Sequence, residues 1–198
     1  MEIIKFNLDK LKKKQDGFSC YILGRSYDLE ENGAEKDYAT ALEWYKKGYN
    51  LGYPLCIYSL GVSYEFGLDD VLKVDKEKSS ELLEKAYPEI LQLIDSDGID
   101  EKERTYAKFV TGAYHYFGLA NIERDYEKAF EIIKHCADKG HIAAIYDLGA
   151  NFYYNGNGTQ KNHRLSEYYL KMAVNAGLPR AKAKFEQYKD TYESEIEK

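Results

Sequence analysis

Cysteine and proline are scarce in this chain of 198 residues, three of each. Cys20, Cys56 and Cys136 are odd in number and far apart, with no C-x-x-C pair. That spacing argues against a disulfide framework or a thiolate zinc site, and predicts buried free thiols in a reducing compartment. Few prolines suit a largely helical chain, because proline removes a backbone donor and kinks helix interiors. His115, His135, His141 and His163 show no H-E-x-x-H or related metal spacing. His135 and His141 are expected to sit near a helix C-terminus, where imidazolium suits the dipole. Positive charge is also short: 28 Lys and Arg against 34 Asp and Glu give a net charge of −6, little support for a nucleic-acid binder. No apolar run approaches a membrane span, and the opening "MEIIKFNLDKLKKKQDG" lacks a secretory signal pattern. The expectation is a soluble, cytoplasmic protein with no membrane partner, in which the Asn157-Gly158-Thr159 sequon is a turn.

Tyrosine, by contrast, is abundant, with 20 residues beside one tryptophan. A phenol combines a large apolar surface with a hydroxyl that stays wet, so such residues can be helix seams or a binding face. Folding demands seams, and that reading is preferred.

The pair Leu-Gly recurs, at Leu23-Gly24, Leu60-Gly61 and Leu148-Gly149, and in degenerate form at Thr111-Gly112. The anchor glycines are spaced by 37, 51 and 37 residues, a period that signals a repeat architecture. After each anchor follows a second segment opened by Asp37, Asp75, Asp125 or Asn162, side chains suited to cap a helix. Three of these segments close with Gly52, Gly140 or Gly177, suited to a left-handed C-terminal cap. Apolar residues between the caps recur at three- and four-residue steps, as in Ala41, Leu42, Trp44, Tyr45 and Tyr49, which is helical periodicity. A glycine inside a helix costs about 1 kcal/mol relative to alanine, so its return in every anchor segment implies another helix packed too close for a side chain. Each unit is a helix hairpin.

These residues resemble the Sel-one-like repeat, a relative of the tetratricopeptide repeat. The resemblance rests on Leu23, Gly24, Tyr27, Asp37, Ala41, Trp44, Tyr45 and Gly52 in the first copy, with three further copies that depart from it individually. It implies an all-α, right-handed α-solenoid of antiparallel helix hairpins, a single repeat domain over 1–198. Repeats fall at about 19–52, 56–87, 107–140 and 144–177, with a capping helix over 1–16 and another over 181–198. The extra residues between the second and third anchors form an insertion at 88–106, in which Pro88 should bend or end a helix.

No catalytic signature emerges. "DSDGIDEKE" lacks the first and last ligands of a calcium loop, and "YNGNGTQK" lacks the ending of a phosphate loop. No cofactor, metal or enzymatic activity is expected. A solenoid presents its first helices along a concave face, which makes Arg25, Asp28, Val62, Glu65, Ala113, Tyr116, Ala150 and Tyr153 the candidate exposed stripe. The expected function is a scaffold or adaptor holding a peptide or partner protein in that groove, as a monomer or weak dimer. The alternatives are a hydrolase-like enzyme with the groove as substrate cleft, or a self-associating structural protein.

Overall fold

The computed structural model describes residues 2–196. Met1 and residues 197–198, the outermost parts of the two expected caps, lie outside the described residues. Those described form ten α-helices and one π-helical stretch, with isolated bridges at Leu68 and no named strand. The helices are α1 (Leu8–Lys14), α2 (Gly17–Leu29), α3 (Tyr38–Asn50), α4 (Pro54–Phe66), α5 (Lys76–Asp95), α6 (Glu101–Phe117), α7 (Tyr126–Asp138), α8 (Ile142–Asp147), α9 (His163–Asn175) and α10 (Pro179–Ile196). The N-terminal cap is shorter than expected. Asn7 accepts from the Lys10 amide at 2.9 Å and starts α1 there, and residues 2–7 are not helical.

The chain forms two compact units, and it passes from one to the other within α6. The first comprises residues 5–110 and 119–122. Its core is built on Tyr21, Ile22, Leu23, Leu55, Ile57, Ile90 and Tyr106. The second comprises 2–4, 111–118 and 123 onward. It centres on Ile145, Leu148, Phe152 and Leu170, with Tyr188 and Tyr192 of α10 packed beside Ala150. In it the Ile4 amide donates to the Gly140 carbonyl at 2.9 Å.

All four second helices start as their first residues dictate. The side chains of Asp37, Asp75, Asp125 and Asn162 accept from the amides of Thr40, Lys78, Lys128 and Leu165 at 2.9–3.0 Å. The anchor glycines have the predicted cause. A methyl group on Gly24 would fall into the Tyr45 ring; on Gly61 it would lie 2.8 Å from Leu83, on Gly112 2.9 Å from Ile133, and on Gly149 2.8 Å from Leu170. In every repeat the first helix touches the second where the glycine is.

Pro88 neither ends nor divides its helix. α5 runs for 20 residues through it, against 13 in α3, α7 and α9. Pro88 points to solvent, and Leu82, Leu83, Ala86 and Ile90 stay on one buried face across it. Burying a leucine or isoleucine side chain yields about 1.5–3 kcal/mol, so Leu82, Leu83 and Ile90 together outweigh the roughly 3 kcal/mol an interior proline costs. α6 is likewise 17 residues long, so most of the insertion lengthens a hairpin and only 96–100 form a loop.

The fourth repeat departs in a way that residue counting conceals. Leu148–Tyr153 is a π-helix, one residue wider per turn. In the first three repeats the amide of the second-helix cap donates to the residue three beyond the anchor glycine: Tyr27, Tyr64 and His115. In the fourth, Asn162 donates to Tyr153, four beyond Gly149, at 2.8 Å. The closing glycine shifts equally. Gly67 and Gly118 donate to Ser63 and Tyr114, two beyond their anchors, whereas Gly156 donates to Phe152, three beyond. The helix gained a residue that the loop before Asn162 lost.

Candidate partner-binding surface

The expected stripe is not a continuous exposed face. Arg25, 6% exposed, is inside the first unit. Its Nε and Nη2 donate to the two carboxylate oxygens of Glu31 at 3.2 and 2.7 Å, and the Tyr21, Tyr106 and Phe109 rings surround the guanidinium at 5.5–5.7 Å. Burial opposes the charge of Arg25, but the Glu31 carboxylate outweighs it and holds the guanidinium well above its ordinary pKa. The same burial pushes the Tyr21 phenol up to about 12. Residues one beyond the anchor are mostly interior: Ala113 and Ala150 are buried as Arg25 is, and only Val62 is half-exposed.

The residues four beyond the anchor tie the two helices of a hairpin together. Asp28 accepts from the Tyr45 hydroxyl at 3.1 Å, and burial holds its carboxyl above the usual range. Glu65 pairs with Lys76 Nζ at 2.6 Å and accepts from Ser79 Oγ at 3.0 Å; the lysine contact lowers its pKa. The Tyr116 ring meets Tyr126 edge-on with centroids 5.2 Å apart, and its hydroxyl accepts from Asn157 Nδ2 at 2.8 Å. Tyr153 is not its counterpart. The π-helical shift makes Tyr153 equivalent to the buried His115, and Tyr153 is itself buried against Phe130 and Tyr169. The counterpart of Tyr116 is Tyr154, which stacks on Tyr188 with centroids 3.4 Å apart. His141 does follow the C-terminus of α7, where its amide donates to the Cys136 carbonyl at 3.1 Å, but its ring is fully buried and caps α8 instead, Nδ1 accepting from the Ala144 amide at 3.2 Å. Most tyrosines are seam residues, as preferred from sequence; Tyr21, Tyr45, Tyr106 and Tyr114 are among the largest fully buried side chains.

Among the exposed large apolar side chains of the described residues, three cluster at a corner of the first unit where α4 turns toward α5. Phe66 closes α4 at 64% exposure. Val62 precedes it by four residues and lies on the same helix face. The loop that follows is folded, not slack: the Leu68 amide donates to the Leu72 carbonyl at 2.8 Å, and Leu68 is buried. It presents Val71 and Val74 outward at 43% and 54% exposure, with Val74 packed over Gly67. The Glu65–Lys76 pair borders these residues, and Lys76 Nζ sits 5.7 Å from the Phe66 centroid. Phe66, Val71 and Val74 escaped the sequence reading. Their signal is the loop "GLDDVLKVD", which carries four apolar residues where a solvated turn needs none.

Such a corner can desolvate against an apolar protein surface and orient it with one ion pair. Among the described residues, no group of three or more His, Cys, Asp or Glu is placed to hold a metal ion. None of their helices is long and apolar enough to cross a membrane.

The succession of capped helix hairpins with a glycine at each crossing defines an all-α helical-repeat protein of the α-solenoid class. The Sel1 repeat profile matches residues 17–53, 54–87, 105–141 and 142–178, and the chain belongs to the Sel1 repeat family. Sel1 repeats generally mediate protein–protein interaction. Among solved structures, the chain is similar to a Sel1 repeat protein from Oxalobacter formigenes (22% identity, TM-score 0.46, covering 89% of this chain and 63% of that one). It is also similar to a protective antigen of uropathogenic Escherichia coli displaying an SLR fold (20% identity, TM-score 0.42, 87% and 34%). A third is a Sel1 repeat protein from Klebsiella pneumoniae subsp. pneumoniae (17% identity, TM-score 0.43, 91% and 81%). The chain thus spans less than two thirds of the first two. No curated protein matches it.

Proposed function

We propose that this Sel1 repeat chain is an adaptor that binds a partner protein or peptide through the α4 corner, with Phe66 and Val74 as anchors and Val62 and Glu65 at the edge. The observation that carries this reading is the exposure of Phe66, at the end of α4, beside Val71 and Val74 on the hydrogen-bonded loop that follows. Exposed apolar side chains clustered on an ordered surface mark interaction sites. A continuous first-helix groove is the weaker form of the idea, because Arg25 and Tyr153 are committed to the interior; Asp28 and Tyr116 serve their own hairpins. A cytoplasmic setting suits three buried free thiols, and a monomeric, non-enzymatic binder of protein rather than nucleic acid suits the acidic surface.

The test is recovery of partners from native lysate with tagged full-length chain, comparing wild type with Phe66→Ser/Val74→Ser at matched helical circular dichroism. Loss of a saturable partner in the variant supports the reading. Retention of every partner, or recovery of none by the wild type, overturns it.

A further inference from the structure

A second surface of the first unit is covered by residues 5–14. Residues 5–7 run without helical structure into α1, and none of residues 5–14 is buried, whereas nine consecutive residues of α2, Phe18 to Ser26, are. Within the first unit, the extended part of this arm is held at Phe6, just beyond Ile4, whose amide donates to the Gly140 carbonyl. The Phe6 ring packs edge-on against Phe18 and Tyr106 with centroids 5.7 Å from each, under Lys102 Nζ at 6.0 Å. The Phe6 amide donates to the Oδ1 of Asn32 at 3.0 Å.

Asn32 is set up for that bond before the arm arrives. Its Nδ2 donates to Ser26 Oγ at 3.0 Å, and the Ser26 hydroxyl donates in turn to the Ile22 carbonyl at 2.8 Å. Ser26 is fully buried. The relay fixes the amide with its nitrogen inward, so its oxygen faces whatever backbone lies on the surface. Asn32 has φ 54°, which asparagine tolerates. The seat therefore reads two features that many sequences share: a main-chain N–H in an extended segment and an aromatic ring beside it. Lifting the arm leaves Phe18 and the Tyr106 ring face to be covered again.

We infer that the Phe18–Tyr106–Asn32 seat is a peptide-binding site held closed by the arm, and that its exchange partner is an extended segment of another protein carrying Phe or Tyr in the register of Phe6. The arm is the element suited to yield, since regions with few buried apolar contacts open at the lowest free energy. The site is separate from the α4 corner and does not depend on it.

The test uses the full chain carrying Phe6→Ala, which removes the resident ring and leaves the seat intact, and a labelled peptide IKFNLDK (residues 4–10 of this chain) read by fluorescence anisotropy. The peptide is expected to bind the variant about tenfold more tightly than wild type, whose tethered arm competes at high effective concentration. Replacing its phenylalanine by alanine, or adding Asn32→Gly, which keeps the positive φ but removes the acceptor, should each weaken binding about tenfold. Adding Phe66→Ser should change nothing, so failure at this seat and failure at the α4 corner remain distinguishable. No binding to a variant of unchanged helicity, equal binding of the alanine peptide, or dimerisation by arm exchange in place of peptide binding overturns the inference. If Phe6→Ala fails to fold, amide exchange in the wild type decides. A Phe6 amide exchanging well before those of α2 and α3 upholds the inference, and one exchanging with them overturns it.

Discussion

Gly24→Ala should destabilise the first unit although alanine is the better helix former. The substitution gains about 1 kcal/mol of helix propensity. Against this, the new methyl group would fall into the Tyr45 ring. That ring cannot swing aside: Tyr45 is buried, and its hydroxyl is committed to Asp28 at 3.1 Å. Overpacking a rigid site costs about 1–3 kcal/mol, so the upper part of that range applies and the net loss is about 1–2 kcal/mol. For a chain of this size that lowers the thermal midpoint by roughly 2–8 °C. Gly61→Ala in the same unit is the control, since the methyl would meet the buried side chain of Leu83 at 2.8 Å, a less severe overlap than at Gly24. Its loss should be smaller, close to offset by the propensity gain. The assay is urea unfolding followed by helical circular dichroism. A Gly24→Ala chain as stable as wild type, or one less affected than Gly61→Ala, would refute the idea that the anchor glycine exists to admit the second helix.

Other perturbations test other parts of the fold. Glu31→Ala should cost about 3–5 kcal/mol in urea unfolding because it strands the Arg25 guanidinium in the interior, and Arg25→Met/Glu31→Leu should recover more than half of that loss. Asp28→Asn keeps an acceptor for the Tyr45 hydroxyl but cannot ionise. Burial raises the Asp28 pKa above 3.8, so the contribution of this carboxyl to stability is fully present below that value and is lost as pH rises through the raised pKa. The variant should therefore be more stable than wild type at pH 7 and equal to it near pH 3, measured as urea midpoints. Pro88→Ala should stabilise α5 by about 1–3 kcal/mol, because the position is exposed, already helical, and regains a backbone bond; an unchanged midpoint would count against a continuous helix there.

Much of this architecture was legible in the sequence because it rests on local chemistry. Asp37, Asp75, Asp125 and Asn162 announce their helices by capping them, and the anchor glycines announce a close crossing by lacking a side chain. Arg25 was not legible. A cation at a nominally exposed position becomes a core residue only because Glu31, in the following loop, folds back to meet it. Pro88 misled for the opposite reason, since a local penalty was outweighed by the apolar face on either side of it. Phe66 and Val74 were overlooked because period-based reading assigns apolar residues to helix interiors and leaves the corners unexamined.

The π-helical turn of the fourth repeat carries a lesson about length. Gly149 and Asn162 are as far apart in sequence as Gly24 and Asp37 or Gly112 and Asp125, yet the path between them is apportioned differently, with one residue moved from connector to helix. Two copies of equal length can thus be out of phase, and aligning them column by column sets Tyr153 against Tyr116 when geometry sets Tyr154 there. The connector before Asn162 is one residue shorter in compensation, so α9 resumes its usual place. A module built this way can exchange the side chain it offers at a fixed point in space without insertion, deletion or any adjustment by its neighbours.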